Sequence, residues 1–342
     1  MQLSDRKKLI LGAIVNLYIA TGEPVGSKLL ADALGLNLSS ATLRNEMSDL
    51  AEHGYLDQPH TSAGRVPTQL GYRTYVDALM KHHELTSEER GKIDKLMTIR
   101  GADLESLLTS ASELLADVTG CVAVSAVHQG DGQRVRRIEL APASRRTVLI
   151  VILTSSGIVK SRICRAGDDI DPEMTAFFTN LLNDKIGGRA LTELTQDVKD
   201  EIISELYEYK YAMSPVLDAV IEELGGLAQS EVIIGGETNL IGHAELPGDK
   251  ALELIRFLET KADLAHLMDD VREGIRVRIG TEIGSDTMKD SSVIATPYRL
   301  DGAPAGAIGI IGPTRMDYSR LMSNMNYFSA VLSKLISDTF SD

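Results

Sequence analysis

The sequence reads SSATLRNEMSDLAEHGYLDQPHTSAGRVPT over residues 39–68. Its first half predicts a helix, because apolar residues recur there at intervals of three and four positions. These residues are Leu43, Met47, Leu50 and Ala51. Ser39 precedes them as an N-cap, and Gly54 follows them as a helix stop. We therefore expect a capped amphipathic helix between Ser39 and Gly54.

Two more helices are predicted ahead of this one. The first runs from about Ser4 to Ala20, and the second begins with Ser27 as its cap and ends at Gly35. Roughly four residues then connect the second helix to the third, which is the arrangement of a helix-turn-helix. In that motif the second helix enters the major groove of DNA with its amino-terminal residues at the bases. The same spacing also occurs in ordinary three-helix bundles, so spacing alone leaves both readings open.

A two-stranded hairpin is predicted directly after the third helix. Its strands cover residues 55–59 and 65–67, and its turn covers residues 60–64. A hairpin in this position is a wing, whose short polar side chains suit the phosphate backbone or the minor groove. A fourth helix, with Tyr72 and Leu79 among its apolar residues, leads away from the hairpin.

Polar residues in these elements form the candidate DNA-binding set. If the apolar stripe of the third helix faces the core, Arg44 and Asn45 lie on or beside its outward face. Arginine reads guanine, asparagine reads adenine, and hydroxyl groups bind phosphate oxygens. The full set is Lys28, Ser39, Ser40, Thr42, Arg44, Asn45, His60, Thr61, Ser62, Arg65, Tyr72 and Arg73.

Charge is unevenly distributed along the chain. Residues 1–80 contain seven Lys or Arg and eight Asp or Glu, whereas residues 81–342 contain 28 and 41. Most of the net charge of −14 therefore belongs to the second part. An acidic surface repels nucleic acid at long range. Any DNA binding has to come from the amino-terminal segment.

Four stretches of this segment are long and unusual enough to compare with known families. They are SSATLRNEM at residues 39–47, GYL at 54–56, PHTSAGRVPT at 59–68 and GYRTYVD at 71–77. Together they closely resemble the bacterial family of the heat-inducible transcription repressor HrcA. The order of predicted elements out to residue 342 is similar to the same family, although more loosely.

The resemblance implies both an architecture and a regulatory role. The implied fold class is α+β and multidomain, with a winged helix-turn-helix, a GAF-like domain and an inserted α+β dimerisation domain. The implied boundaries are 1–80 for the winged helix-turn-helix, 81–100 for a linker or connecting helix, 101–132 with 229–342 for the GAF-like domain, and 133–228 for the insert. The implied function is repression of chaperonin and chaperone operons by a homodimer on an inverted-repeat operator called CIRCE. In this picture heat stress releases the repressor from double-stranded DNA, and the GroEL chaperonin keeps it active.

The remainder of the chain alternates between predicted strands and helices, as in an α+β protein. Strand patterns cover residues 121–127, 134–141, 147–153, 157–164, 231–234, 275–283, 291–298 and 306–311. Helical patterns cover residues 102–119, 172–183, 196–211, 215–224, 252–257 and 263–269, and a final stripe runs from Leu321 to Leu335.

No catalytic or cofactor-binding pattern stands out. His82 and His83 are adjacent and would point to different faces of a helix, which argues against a metal site. The glycines from Gly306 to Gly312 lack the spacing of a phosphate-binding loop and lie within an apolar strand. We expect no cofactor, no metal and no enzymatic activity. The alternative function is a regulator whose GAF-like body binds a small molecule, and an enzyme built on residues 101–342 is the weaker one.

The cellular compartment is predicted from the number of cysteines and from the length of the apolar runs. Two cysteines, Cys121 and Cys164, indicate a reducing environment. The lysine pair at residues 7–8 ahead of the apolar run 9–20 imitates a signal peptide, but Asn16 and the helical period of the run favour an amphipathic helix. The apolar runs are shorter than the ~20 residues of a membrane span. We expect a cytoplasmic protein without membrane contact.

Overall fold

The structure is a computed structural model that describes residues 3–35, 39–60, 64–99, 103–127, 134–155, 157–227, 232–242 and 248–340. An amino-terminal head, residues 3–79, is followed by a larger body of mixed helix and sheet, residues 80–340. The elements of the head are α1 (Asp5–Thr21), α2 (Ser27–Leu34), α3 (Ser40–Glu52), β1 (Leu56–Asp57), β2 (Val66–Pro67) and α4 (Gln69–Thr74). One π-helical turn, Tyr75–Leu79, continues α4.

Capping residues determine where the helices of the head begin and end. Ser39 Oγ accepts a hydrogen bond from Thr42 N at 3.1 Å, which confirms the predicted start of α3. α2 ends at Gly35, which adopts the left-handed conformation that glycine tolerates best. The prediction that Ser27 caps α2 is wrong, because Gly26 occupies the cap position and Ser27 is the first helical residue.

The three helices of the head bury one shared apolar core. Its members come from α1, α2, α3, the hairpin and the helix that follows it. They include Ile10, Leu11, Ile14, Val15, Leu30, Leu43, Met47, Leu50, Leu56, Tyr72 and Tyr75. Burying a large aliphatic side chain contributes roughly 1.5–3 kcal/mol, so this core is sufficient to orient α3 against α1 and α2.

The hairpin after α3 is shorter than predicted. β1 and β2 pair antiparallel over two residues each, with Leu56 opposite Pro67. A backbone bridge between Val25 and Arg65 extends this small sheet toward the start of α2. Gly64 makes the bridge possible, because a Cβ at that position would lie 2.4 Å from the carbonyl carbon of Val25.

A polar segment joins the head to the body. It contains α5 (Ser87–Ile93) and a short 3₁₀ helix, Asp94–Thr98. The main apolar residues of this segment are Ile93 and Leu96. Both are fully buried against the carboxyl-terminal helix α12 (Tyr318–Phe340). The segment therefore packs on the body.

The body is built around a five-stranded antiparallel sheet. In spatial order its strands are β7 (Val232–Gly235), β3 (Val122–Val127), β10 (Ala303–Pro313), β9 (Ser291–Leu300) and β8 (Arg276–Ile279). One face packs against α6 (Leu104–Thr119) and α12, and the other against α10 (Gly248–Glu259) and α11 (Lys261–Asp269). The alternate residues of β3 divide between these two apolar clusters, as expected for a strand that is buried on both faces.

A second unit lies between β3 and β7 in the sequence. Its three-stranded antiparallel sheet consists of β4 (Val135–Ser144), β5 (Thr147–Thr154) and β6 (Val159–Arg165). Its helices are α7 (Pro172–Ile186), α8 (Gln196–Glu205) and α9 (Lys210–Leu227). β3 and β7 are themselves hydrogen-bonded neighbours, with Ala126 opposite Val232. The chain therefore leaves the five-stranded sheet after β3, forms the second unit and returns to the sheet at β7.

The helices of the second unit differ from the sequence prediction at one junction. The predicted helix over 196–211 ends at Glu205, and Tyr207 then adopts a positive φ of 46°. α9 begins at Lys210 and continues through Pro215, which was predicted to start the next helix. Proline in a helix interior removes one backbone hydrogen bond, and its ring crowds the carbonyl four residues earlier. The buried apolar face of α9 offsets this cost. Among the described residues, no helix is both long enough and apolar enough to cross a membrane.

Candidate nucleic-acid interface

The exposed side of α3 carries the predicted base-reading residues. The apolar stripe of α3 points into the head core and leaves Ser40, Arg44 and Asn45 exposed. Within the described part of the chain, Arg44 forms no ion pair. The Asn45 amide has no hydrogen-bond partner in the same part of the chain. Both side chains can therefore donate to acceptors outside the protein.

Ser39 and Thr42 contribute to the same surface through the helix cap. Ser39 is exposed, and its Oγ lies 2.9 Å from Thr42 Oγ1 in addition to accepting from Thr42 N. Thr42 is half-buried. The pair fixes the first turn of α3, and the exposed Ser39 hydroxyl lies at the helix end that carries Ser40.

Two of the three acidic residues of α3 form ion pairs with the first helix. Lys7 forms a close ion pair with Asp49, and a hydrogen bond from Lys7 lowers the pKa of the Asp49 carboxyl. Arg6 pairs with Glu46 at 3.5 Å. No spacing rule predicts these pairs, because the partners lie on different helices. They reduce the negative charge beside Arg44, which favours approach of a polyanion.

The hairpin brings a second basic group to the head surface. His60 is exposed, whereas Thr61 and Ser62 lie outside the described residues. Arg65 is half-buried, and its backbone exchanges two 2.9 Å hydrogen bonds with Val25. The buried Nε of Arg65 has no hydrogen-bond partner within the residues that the structure describes. Lys28, which is exposed, follows Val25 by three residues in the first turn of α2.

The structure corrects the assignment of Tyr72 and Arg73 to this surface. Tyr72 is only 3% exposed, and its ring packs 5.8 Å from that of Tyr318. Arg73 forms a bidentate ion pair with Glu282 of the body. Both residues face the body because α4 packs between the two parts of the molecule. The sequence could not show this, because the partners are more than 200 residues away.

The groups that could suggest other chemistry are in ordinary structural positions. Nε2 of His83 lies 3.1 Å from Glu89 Oε2, and His82 is exposed. Burial raises the pKa of the Cys121 thiol to about 12, so it is not a nucleophile at neutral pH. Gly306 lets β10 approach its neighbours, because a Cβ there would lie 2.3 Å from the Ala126 carbonyl oxygen. Within the described ranges, no three His, Cys, Asp or Glu side chains are grouped so that they could hold a metal ion.

Comparison with known proteins identifies the family. The family model described as the HrcA protein C-terminal domain matches residues 105–322. The chain belongs to the HrcA family. A heat-inducible transcription repressor HrcA from Thermoanaerobacter sp. (strain X514) is 34% identical over 343 residues, covering 100% of this chain and 99% of that protein. The protein of the same name from Ruminiclostridium cellulolyticum is 38% identical over 333 residues, covering 96% and 95%.

The names of the HrcA relatives indicate the class of function. These relatives are named as transcription repressors and not as enzymes, so the enzyme alternative is excluded. A crystal structure of a protein described as hypothetical is similar in fold, with a TM-score of 0.64 and 26% identity. The match covers 99% of this chain and 100% of the chain in that crystal structure. The overall fold thus has a counterpart in an experimental structure.

Proposed function

We propose that this HrcA-family repressor binds double-stranded DNA through a winged helix-turn-helix formed by the head. α3 is the recognition helix, and the hairpin of β1 and β2 is the wing. The observation that carries the proposal is the exposed polar face of α3. There the side chains of Arg44 and Asn45 have no partner among the described residues, and Glu46 and Asp49 are paired to α1. Arg65 and Lys28 supply cations beside it for the phosphate backbone.

The proposed homodimer forms through the second unit, which we take as the dimerisation domain over residues 133–228. Along β5, alternate residues point into the unit, and the others form the opposite face of the sheet. That face carries Leu149, Val151 and Leu153 of β5 with Val159 and Ile163 of β6. Ile163 is 68% exposed and Val159 is 41% exposed. An apolar patch of this kind marks an interaction site, and a second copy related by a two-fold axis would cover it.

The five-stranded sheet and its helices form the proposed GAF-like domain, residues 101–132 and 229–342. Both faces of this sheet are already filled by apolar side chains of the flanking helices. We therefore assign it the role of connecting the heads to the dimer. A small-molecule sensor is the alternative, and ligand-dependent melting of the whole chain would favour it.

The regulatory setting is proposed from the family resemblance. The operator is the inverted repeat CIRCE ahead of chaperonin and chaperone operons, and the site of action is the cytoplasm. GroEL maintains the active repressor, and occupation of GroEL by heat-damaged clients lowers the amount that can bind DNA. A two-fold dimer fits an inverted repeat because each head meets its half-site in the same orientation.

A footprint on the promoter upstream of the chain's own gene tests this function. The wild-type chain should protect one inverted repeat, with both half-sites covered at the same protein concentration. An Arg44→Ala, Asn45→Ala double variant should lose this protection, whereas Arg272→Ala, which removes an exposed cation of the body, should retain it. Protection that is absent in the wild type, or equal in the double variant, would reject the proposal.

A further inference from the structure

The head is hydrogen-bonded to one turn of the body through Gln69. The Gln69 Nε2 donates to the Ile279 carbonyl at 2.6 Å. Its Oε1 accepts from the Thr281 backbone N–H at 3.2 Å and from the Thr281 hydroxyl at 2.9 Å. Gly280 lies in the middle of this turn with a φ of +54°, and a Cβ there would lie 2.9 Å from Gln69 Oε1. The turn is therefore shaped closely around the Gln69 side chain.

An ion pair accompanies the Gln69 contact. Arg73 Nε donates to Glu282 Oε1 at 2.9 Å, and Arg73 Nη2 contacts the second oxygen of the same carboxylate. Nη2 also donates to the Val277 carbonyl at 2.7 Å. Burial alone raises the pKa of Glu282, but the Arg73 guanidinium and the Ile279 N–H lower it overall. A paired carboxylate of this kind is a bidentate, geometrically specific contact.

Two additional contacts hold the head at other points. The buried rings of Tyr72 and Tyr318 pack together. Arg315 Nη1 donates to the Ile19 carbonyl at 2.7 Å, near the carboxyl-terminal end of α1. A cation at this end of a helix is also favoured by the helix dipole. Because α1 and α4 are both attached, the head has a defined orientation on the body.

We propose that the contact between Gln69 and Arg73 of the head and Thr281 and Glu282 of the body selects the half-site spacing of the operator. The inference rests on the proposed function, and it adds positioning residues that do not touch DNA. In a dimer, binding of the second head is intramolecular once the first has bound. Its effective concentration is high only when the head is already held at the separation of the half-sites. A head released from the body would tolerate several spacings and bind the correct one less tightly.

The test compares variants of the full-length chain on a series of DNA duplexes. The duplexes carry the inverted repeat that the wild type selects from a random pool, with the spacer lengthened or shortened by one, two and five base pairs, plus one duplex with a single half-site. Glu282→Gln removes the carboxylate charge, and Thr281→Val removes one hydroxyl donor to Gln69. Glu273→Gln also replaces a glutamate by glutamine, but on an exposed loop before β8. It is therefore the matched control for Glu282→Gln.

We expect Glu282→Gln to bind the selected duplex about tenfold more weakly or worse. Simultaneous binding by two heads is tight only when the separation of the heads matches that of the half-sites. The variant's preference should spread over neighbouring spacings, and Thr281→Val should show the same change to a smaller extent. Binding to the single half-site should stay within about twofold of wild type, which shows that the head remains folded. A wild-type spacing profile in both variants, or tighter binding of the selected duplex, would overturn the inference. Failure of the wild type to bind even a half-site would reject the proposed function itself.

Discussion

Arg44 and Arg65 are two arginines on the head surface, and their surroundings differ. Arg44 stands exposed near the start of α3, where side chains of a recognition helix reach base edges. Arg65 is held in the hairpin by its backbone bonds to Val25, and its buried Nε has no partner in the described part of the chain. Base reading therefore suits Arg44, and phosphate binding suits Arg65.

The two roles predict different losses on substitution. Arg44→Ala should cost about 1–3 kcal/mol of binding free energy and relax the choice of base at one position. Arg65→Ala should weaken binding to all sequences and make the salt dependence shallower by about one unit. Fluorescence anisotropy on duplexes with single base changes, at several salt concentrations, measures both effects, with Arg272→Ala as the control. Equal losses with unchanged specificity and salt slope would contradict these roles.

Glu89 connects the segment before α5 to the last helix of the chain. Its carboxylate accepts from Thr86 N at 3.0 Å and from Arg320 Nε at 2.7 Å, and it lies 3.1 Å from His83 Nε2. The Thr86 N–H is the main cause that lowers the pKa of Glu89 from 4.5 to about 2, with His83 and Arg320 contributing as well. The ionised form is thus favoured in the folded state.

Glu89 should make the stability of the body depend on acid pH. Because its folded pKa is lowered, its contribution is complete above about pH 4.5 and is lost as the pH falls toward 2. We expect Glu89→Gln to melt below wild type at pH 7, and the difference to shrink between pH 4.5 and 2. Thermal unfolding of both proteins across this range is the measurement, and Glu84→Gln, which makes the same change at an exposed glutamate, is the control. A difference that stays constant with pH would show that the carboxylate charge is not responsible.

At the scale of elements, local signals were sufficient for some predictions and not for others. The Ser39 cap of α3 and the apolar stripe of α12 are each encoded by a local sequence pattern. Both features were predicted. The start of α9 was predicted five residues too late, because the packing of its apolar face keeps Pro215 within the helix. The orientation of Arg73 was missed because its partner Glu282 is distant in sequence. Local patterns predict which helix forms, and only tertiary contacts show what each of its faces meets.

The open face of the β4–β6 sheet should be the element that holds two chains together. Ile163→Lys places a charge on this face at a position that is already 68% exposed, so the fold of one chain should be unaffected. We expect the variant to sediment as a monomer at concentrations where the wild type is a dimer. Leu252→Lys makes the same kind of change on α10, at a residue that is 58% exposed, and should leave the dimer intact. A dimeric Ile163→Lys variant would move the interface to another surface.

The whole molecule combines distant strands and an acidic body. β3 and β7 are neighbours in the five-stranded sheet although the second unit separates them in sequence. Non-local pairing of this kind slows folding and favours intermediates. The excess of acidic residues after residue 80 adds repulsion to the compact state. In the proposed dimer, stability would also depend on concentration, so unfolded chains would be lost from the DNA-binding pool by mass action.

These properties predict that heat acts through folding of the repressor and without a small effector. Operator binding by the purified chain should decline steeply within a few degrees of its melting temperature, and chaperonin with ATP should restore it. The measurement is a DNA-binding assay across temperature, with and without chaperonin, alongside circular dichroism of the same samples. A chain that stays folded and dimeric while it releases DNA on heating would indicate a discrete conformational switch instead.

The central claim is that two heads of a dimer read two half-sites of an inverted repeat. The most direct test is the stoichiometry and affinity of the wild-type chain on three duplexes, measured by analytical ultracentrifugation and anisotropy. The duplexes carry the inverted repeat, the same repeat with one half-site scrambled, and the two half-sites as a direct repeat. We predict two chains on the inverted repeat and affinity at least a hundredfold lower on the other two, because both heads must engage together. One chain saturating the inverted repeat, with equal affinity for the single half-site, would contradict the account.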